Sequence, residues 1–192
     1  MTDAMGHTLS AALLATVLVG ALRNARRRAV GLAEQASLAH EALSGYAGEE
    51  EFVTGQLVRI DLLSGTGRIV NAGHPAPIRV RDGRAERVLL DAGLPFAISP
   101  TGAYRVQELA LRAGDRLVFL TDGMLERNAT SIDAMSILAA SRHLHPREAV
   151  QDLTRSVVEA CGGELRDDAT VLCLDWHGGP PRLREASEGA DR

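Results

Sequence analysis

The spacing of apolar side chains changes along the chain, and it predicts two helices followed by a series of strands. Residues 8–28 and residues 33–43 carry apolar side chains at helical intervals, and Gly31 separates the two segments. The first segment is apolar on nearly all sides, which predicts a helix buried against a sheet. From Glu51 onward apolar and polar residues alternate with a period of two, as in half-buried strands.

Turn sequences divide the middle of the chain into three strand pairs. The pairs are FVTGQLVRIDLL with RIVNAG around SGTG, IRV with ERVLL around RDGR, and YRVQELAL with RLVFL around RAGD. Short turns rich in Asp and Gly favour antiparallel hairpins, so each pair is expected to form one. The segment DAGLPFAISPTG is punctuated by Gly and Pro, and it predicts a long loop between the second pair and the third.

The C-terminal part of the chain predicts two more helices and a last strand. The helices are expected near residues 132–141 and 146–160, and the strand is ATVLCLDW. Residues 177–192 have no apolar periodicity, which predicts a disordered tail after a single domain at residues 1–176. This order of elements predicts an α+β fold in which helices cover antiparallel sheets.

Composition and charge limit the classes of partner. The chain has 192 residues, 45% of them hydrophobic, and a net charge of −4, so nucleic acid and anionic membrane surfaces are not expected as partners. Cys161 and Cys173 lack the spacing of a metal site, and we expect free thiols in a reducing cytoplasm. The apolar run at residues 9–22 is shorter than the roughly 20 residues that span a bilayer. A buried helix is therefore favoured over a membrane anchor.

Carboxylates follow turns or strand ends at three places. These are Asp3 in TDAMGH, Asp122 in FLTDGM, and the pair Asp167 and Asp168 in RDDATV. A carboxylate at the end of an apolar strand is costly to desolvate unless a cation neutralises it. Oxygen ligands from distant segments suit Mg²⁺ or Mn²⁺, although each aspartate alone also fits an ordinary turn or helix start. From the residues alone, a metal site and simple turn chemistry both stay open.

Five motifs together resemble a known family. TDAMGH, NAGHPAP, GLPFAISP, LRAGDRLVFLTDG and RDDATVLCL resemble, in this order, the motifs of SpoIIE-type phosphatases, which belong to the PPM class of metal-dependent serine/threonine phosphatases. The resemblance covers roughly residues 3–176. It implies an α-β-β-α sandwich of two packed antiparallel sheets flanked by helices, with two Mn²⁺ or Mg²⁺ ions at one edge. It also implies a phosphorylated anti-sigma-factor antagonist of the STAS class as substrate.

The resemblance assigns roles to five residues. Asp3 resembles the aspartate that bridges the two metals, and the main-chain carbonyl of Ala4 resembles a further ligand. Asp122 and Asp167 resemble the remaining carboxylate ligands, and Asp168 resembles a more variable position beside them. Asp3, Asp122 and Asp167 are thus the expected catalytic set, since the ions would activate a water and no protein nucleophile is needed.

Two histidines and an arginine cluster also lie near these motifs. His74 in NAGHPAP is expected to hold the turn in place rather than to take part in catalysis. His7 follows Asp3 closely enough to assist a leaving group or to bind phosphate. The arginines within residues 23–28 are expected to form a solvated helix end, with recognition of a phosphoprotein as the alternative.

The start of the chain departs from the family pattern. The family has two strands and a GDFYD-like segment before the position of TDAMGH, whereas Asp3 is the third residue here. We therefore expect an N-terminally incomplete fold with an open sheet edge, which favours pairing with another chain and allows a homodimer. Three explanations stay open: a start codon assigned too late, a fragment of a longer protein, or a degenerate module that binds in a sigma-factor pathway without catalysing.

Overall fold

A computed structural model describes residues 1–6, 9–48, 50–98, 101–125, 133–163 and 168–179. The strands are β1 (Thr2–Ala4), β2 (Val53–Ile60), β3 (Thr66–Ala72), β4 (Ile78–Arg81), β5 (Arg84–Arg87), β6 (Val106–Ala110), β7 (Asp115–Leu120) and β8 (Val171–Trp176). The α-helices are α1 (Leu9–Arg27), α2 (Leu32–Ser44), α3 (Ala134–Ala140) and α4 (Pro146–Ala160). Short 3₁₀ turns lie at Asp122–Leu125 and Ser141–His143. The tail expected at residues 177–192 falls almost entirely outside the described residues.

The strands form two four-stranded antiparallel sheets. Sheet A has the order β1-β2-β3-β6, and sheet B has the order β5-β4-β7-β8. Helices α1 and α2 pack on sheet A, and α3 and α4 pack on sheet B. The predicted α+β fold of two packed antiparallel sheets flanked by helices is therefore confirmed.

Three apolar layers hold this sandwich together. Phe96 and Leu18 are completely buried between sheet A and its helices, and Leu153 is buried between sheet B and its helices. Ile69 and Leu117 face each other's sheet in the middle layer. Because strand side chains alternate between faces, β3 of sheet A and β7 of sheet B each supply residues to two of these layers.

The first two strand pairs form as predicted, and the third does not. β2 pairs with β3, and β4 pairs with β5 around Asp82 and Gly83, which both have positive φ as a two-residue hairpin turn requires. β6, however, pairs with β3 in sheet A, while β7 pairs with β4 and β8 in sheet B. The pairing of β7 with β4 is accompanied by an ion pair, in which the buried carboxylate of Asp115 receives two hydrogen bonds from Arg81 of β4 at 2.7 and 2.6 Å. This ion pair attaches the start of β7 to sheet B, so the RAGD turn crosses between the sheets.

Helix α1 packs on sheet A as predicted, but only one of its faces is buried. Its buried residues are Ala11, Leu14, Leu18 and Ala25, while Leu9 is 89% exposed. The helix packs mainly against α2 and β1, and Leu13 on its other face is 53% exposed. By length and composition α1 could cross a membrane, a test that core helices of soluble proteins also pass.

Arg116 joins sheet B to the segment between α3 and α4. Its side chain is 4% exposed and donates from Nε and Nη2 to the two carboxylate oxygens of Asp175 on β8, at 2.6 and 2.8 Å. The other donations go to the carbonyl and hydroxyl of Ser141 and to the carbonyl of Leu144. Five contacts match the five N–H groups of a guanidinium, so the buried charge is fully hydrogen-bonded.

Candidate metal centre

Strand β1 presents a main-chain carbonyl at the edge of sheet A. The Met1 amino group and the Gln56 amide exchange both main-chain hydrogen bonds, at 3.0 and 2.8 Å. Bonded and non-bonded pairs alternate in an antiparallel ladder, so Asp3 forms a bonded pair with Thr54. The next residue, Ala4, then lies in a non-bonded pair, and its carbonyl points away from β2. Because no described strand pairs with the other side of β1, this carbonyl faces outward at the sheet edge.

The Asp3 side chain lies on the face of β1 that is directed toward sheet B. The methyl group of Ala4 packs against the cluster between sheet A and its helices. Successive side chains of a strand point to opposite faces, which directs Asp3 toward the space between the sheets. Asp3 is half-buried there. Asp3 therefore lies on the inner face of the edge strand of sheet A.

Asp122 stands where a fully buried strand reaches the surface. All six residues of β7 are buried, as is Thr121, whereas Asp122 itself is exposed. Thr121 fixes this end of the strand, since its amide donates to the Thr170 carbonyl at 3.1 Å and its hydroxyl accepts from the Thr170 amide at 2.9 Å. The strand thus ends on a carboxylate because that carboxylate has left the core.

Close main-chain packing brings Asp168 to the same place. A Cβ atom added to Gly123 would lie 2.4 Å from the carbonyl oxygen of Asp168, so only glycine allows this approach. The Asp168 side chain is exposed. The motifs TDG and DDAT therefore meet in space, as a shared site requires. Asp167, the first aspartate of DDAT, lies outside the described residues, and so does His7.

His74 connects the Asp3 side of the site to the Asp122 side. Its ring is buried, and its Nδ1 lies 2.9 Å from the hydroxyl of Thr54, the residue opposite Asp3. Burial lowers the pKa of His74 to about 4, and the negative charge of Asp122 acts in the opposite direction. The ring is therefore neutral at pH 7 and close enough to Asp122 to respond to its charge.

The NAGHPAP turn that carries His74 is fixed by contacts with neighbouring segments. The His74 amide donates to the Asn71 side-chain oxygen at 2.9 Å, and the Gln56 side-chain amide donates to the Pro75 carbonyl at 2.8 Å. Gly73 has a φ of 68°, and a Cβ atom there would lie 2.7 Å from the Pro95 ring. These contacts agree with the expectation that His74 holds the turn in place. That His74 takes no part in catalysis stays a prediction.

The described residues provide oxygen donors for a hard divalent cation but no complete carboxylate cluster. Within the described ranges, no group of three His, Cys, Asp or Glu side chains is placed to hold a metal ion. What these ranges supply is the carboxylates of Asp3, Asp122 and Asp168 and the outward carbonyl of Ala4. All are oxygen atoms, which Mg²⁺ and Mn²⁺ prefer, so the donor chemistry fits even though Asp167 is not described.

Sequence reasoning did not identify the polar residues that surround the site. Thr54 and Gln56 lie on the face of β2 that Asp3 also occupies, and Asn71 is buried on β3. Thr54 and Gln56 are two residues apart within an apolar strand pattern. That spacing was the available signal, because polar side chains at alternate strand positions share one face.

Several solved structures share this architecture. The RsbU and RsbW domains of a Mycobacterium tuberculosis protein superpose with a TM-score of 0.76 at 22% identity, over 94% of this chain and 51% of that one. The PP2C domain of SiaA from Pseudomonas aeruginosa gives 0.74 at 20% identity, over 91% and 73%. The SpoIIE PP2C phosphatase domain from Bacillus subtilis, with a fragment of its regulatory domain, gives 0.69 at 19% identity, over 90% and 52%. The fold is that of PP2C-type phosphatase domains.

Family membership follows from a sequence comparison. The family model of Stage II sporulation protein E (SpoIIE) matches residues 1–177. The chain therefore belongs to the SpoIIE family, a family of PPM-type serine/threonine phosphatase domains, as the five motifs predict. It spans about half the length of the M. tuberculosis and B. subtilis chains that it matches.

Proposed function

We propose that this chain is a metal-dependent protein serine/threonine phosphatase that hydrolyses phosphoserine or phosphothreonine with a metal-activated water. The observation that carries the proposal is the main-chain contact between Gly123 of the TDG turn and Asp168 of the DDAT motif. His74 supports it, because its ring contacts Thr54, the residue opposite Asp3, and responds to the charge of Asp122. Membership in the SpoIIE family supports the reaction class.

The aspartates of the three motifs would hold two Mn²⁺ or Mg²⁺ ions. Asp3 and the Ala4 carbonyl would bind from β1, Asp122 from the TDG turn, and Asp167 and Asp168 from the DDAT motif. Such ions lower the pKa of a bound water and neutralise charge on a phosphoryl group. The chain itself orients these ligands through β1 and Thr121, and the exposed position of Asp122 leaves the edge open to a phosphoprotein.

A cysteine-based phosphatase mechanism is disfavoured. Both cysteines are free and half-buried. Burial raises the pKa of the Cys173 thiol to about 11, which keeps it protonated at neutral pH, whereas nucleophilic attack requires the thiolate. Cys173 also lies within β8, whose side chains pack against α4, so it is not held in a loop that could surround a phosphate.

As substrate we propose a phosphorylated anti-sigma-factor antagonist of the STAS class, met in the cytoplasm. The family resemblance supports this choice, and the matching M. tuberculosis chain combines an RsbU domain with an RsbW domain. The alternative is a module that binds such a regulator without hydrolysing it. The two functions differ in one measurable property, which is turnover.

Phosphate release tests the proposal directly. The assay compares the chain with its Asp122→Ala and Asp152→Ala variants on a phosphoserine protein and on p-nitrophenyl phosphate, with and without Mn²⁺. Asp152 is a suitable control because it is a partly exposed aspartate on α4 that forms a salt bridge with Arg155 of the same helix. We expect release that requires Mn²⁺ and Asp122 and does not require Asp152. A folded parent chain that releases no phosphate from either substrate would contradict the proposed catalysis and favour the binding module.

A further inference from the structure

The Thr54 hydroxyl lies between strand β1 and the NAGHPAP turn. Its Oγ1 donates to the main-chain carbonyl of Asp3 at 3.3 Å and lies 2.9 Å from Nδ1 of His74. This carbonyl is also the one that Asp3 directs toward β2 in its bonded pair with Thr54. The hydroxyl therefore contacts β1 at the residue that carries the candidate ligand.

The His74 ring is a fixed partner for this hydroxyl. Its amide is bonded to Asn71, and the adjacent Pro75 carbonyl accepts from Gln56. The ring is 4% exposed, so the protein encloses it on nearly all sides. Because the ring is buried and the turn that carries it is hydrogen-bonded to other strands, its position does not depend on β1. The ring therefore holds the Thr54 hydroxyl in place.

Strand β1 is held by few hydrogen bonds, because it is short and is paired on one side. It has three residues, and among the described strands only β2 bonds to it. Short ladders at sheet edges open most readily, since few bonds must break together. Any displacement of β1 would move the Asp3 carboxylate and the Ala4 carbonyl relative to Asp122.

We propose that Thr54 and His74 form a positioning pair that holds β1 in register with the NAGHPAP turn and thereby sets the two candidate ligands of β1 opposite Asp122. The inference rests on the proposed metal site for its functional meaning. The positioning of β1 by Thr54 and His74 concerns the metal-free protein and can be tested without any metal. Neither residue contacts substrate in this scheme, because both act through the main chain of Asp3.

Hydrogen exchange in the metal-free protein tests the structural part. The Thr54→Val variant keeps the branched shape and loses the hydroxyl, whereas Thr54→Ser keeps the hydroxyl. We expect the Asp3 and Met5 amides to exchange at least about tenfold faster in Thr54→Val and within about threefold of the parent in Thr54→Ser. Exchange of the β7 amides should be unchanged in both. Equal protection of β1 in Thr54→Val and in the parent would overturn the proposal.

Substitutions at His74 test the other half of the pair. The side-chain amide of asparagine stands at the same distance from the backbone as Nδ1, so His74→Asn retains a partner for Thr54 and His74→Leu does not. We expect β1 protection to be kept in His74→Asn and lost in His74→Leu. If His74→Leu fails to fold, the comparison of His74→Asn with the parent still decides, since loss of β1 protection in that variant would contradict a role for the Nδ1 position.

Mn²⁺ titration by calorimetry tests the functional part. Residues that orient metal ligands typically change affinity by about 10- to 100-fold when removed. We therefore expect the Mn²⁺ dissociation constant to rise at least about tenfold in Thr54→Val and to stay within about threefold in Thr54→Ser. An unchanged affinity in Thr54→Val would overturn the link to the ligands. A parent chain that binds no Mn²⁺ would contradict the proposed function, while the exchange result would still confirm or overturn the positioning of β1.

Discussion

Replacing Gly73 by alanine should destabilise the protein through two separable effects. Gly73 has a φ of 68°, a left-handed conformation that costs an L-residue with a side chain roughly 1–2 kcal/mol. The new Cβ atom would also lie 2.7 Å from Cγ and 2.8 Å from Cδ of Pro95. Overpacking of this kind typically costs about 1–3 kcal/mol, and the rigid ring of proline cannot rotate away. Together these terms predict a loss of about 2–5 kcal/mol in the free energy of unfolding.

Two other glycines serve as matched controls. Gly114 has a φ of 92° with no atom within 4 Å of an added Cβ, so Gly114→Ala isolates the conformational term. Gly20 lies on the exposed face of α1 with no neighbour within 4 Å, and Gly20→Ala should stabilise the helix by up to about 1 kcal/mol. We therefore expect Gly73→Ala to cost the most, Gly114→Ala about 1–2 kcal/mol, and Gly20→Ala nothing.

Equilibrium unfolding in urea, followed by circular dichroism, measures all three variants. A double-mutant cycle with Pro95→Ala then isolates the contact, because removing the ring should recover part of the loss in Gly73→Ala. The reasoning is refuted if Gly73→Ala costs no more than Gly114→Ala, or if Pro95→Ala recovers nothing. In either case the GLPF loop would not limit the space around the NAGHPAP turn.

Three further predictions concern charged and titratable groups. Asp115→Asn should cost about 3 kcal/mol in urea unfolding, because Arg81 would keep a largely buried charge without its carboxylate. His74 has a folded pKa of about 4, below its ordinary value of 6.5, so the folded state binds fewer protons. The stabilisation of about 3 kcal/mol that results is present above pH 6.5 and is lost toward pH 4, and a pH series on His74→Asn should show a smaller loss. Asp122→Asn should lower Mn²⁺-dependent turnover by more than about a hundredfold and change the free energy of unfolding by less than about 0.5 kcal/mol, because the side chain is exposed.

Local patterns predicted the elements of this fold better than their pairing. The alternation in β2 and β3 and the Asp-Gly turn between β4 and β5 were sufficient because each hairpin is closed by adjacent residues. The partners of β7 were predicted wrongly, because they involve contacts between residues far apart in the sequence, such as the ion pair between Asp115 and Arg81, 34 positions apart. A turn sequence shows that the chain reverses, but it does not show in which sheet the next strand lies.

The candidate site was predicted from its motifs, and its supporting residues were not. Asp3, Asp122 and Asp168 stand in recognisable sequence contexts, and the structure brings the TDG and DDAT segments together. Thr54 has no such context, since its importance comes from an edge strand and a turn that approach it from elsewhere in the chain. The exposed face of α1 was missed for a related reason, because apolar content alone does not show how many neighbours a helix has.

The side chain of Arg116 uses all of its hydrogen-bond donors, and this affects how sequences of the family should be compared. All five of its donors are engaged, and lysine, with three donors on a single nitrogen, cannot reproduce them. Selection would therefore retain arginine at this position for folding alone. In an alignment such a residue would be as invariant as a metal ligand. Yet it lies near the start of β7, at the end of the strand remote from Asp122, so invariance of this arginine is no guide to chemistry.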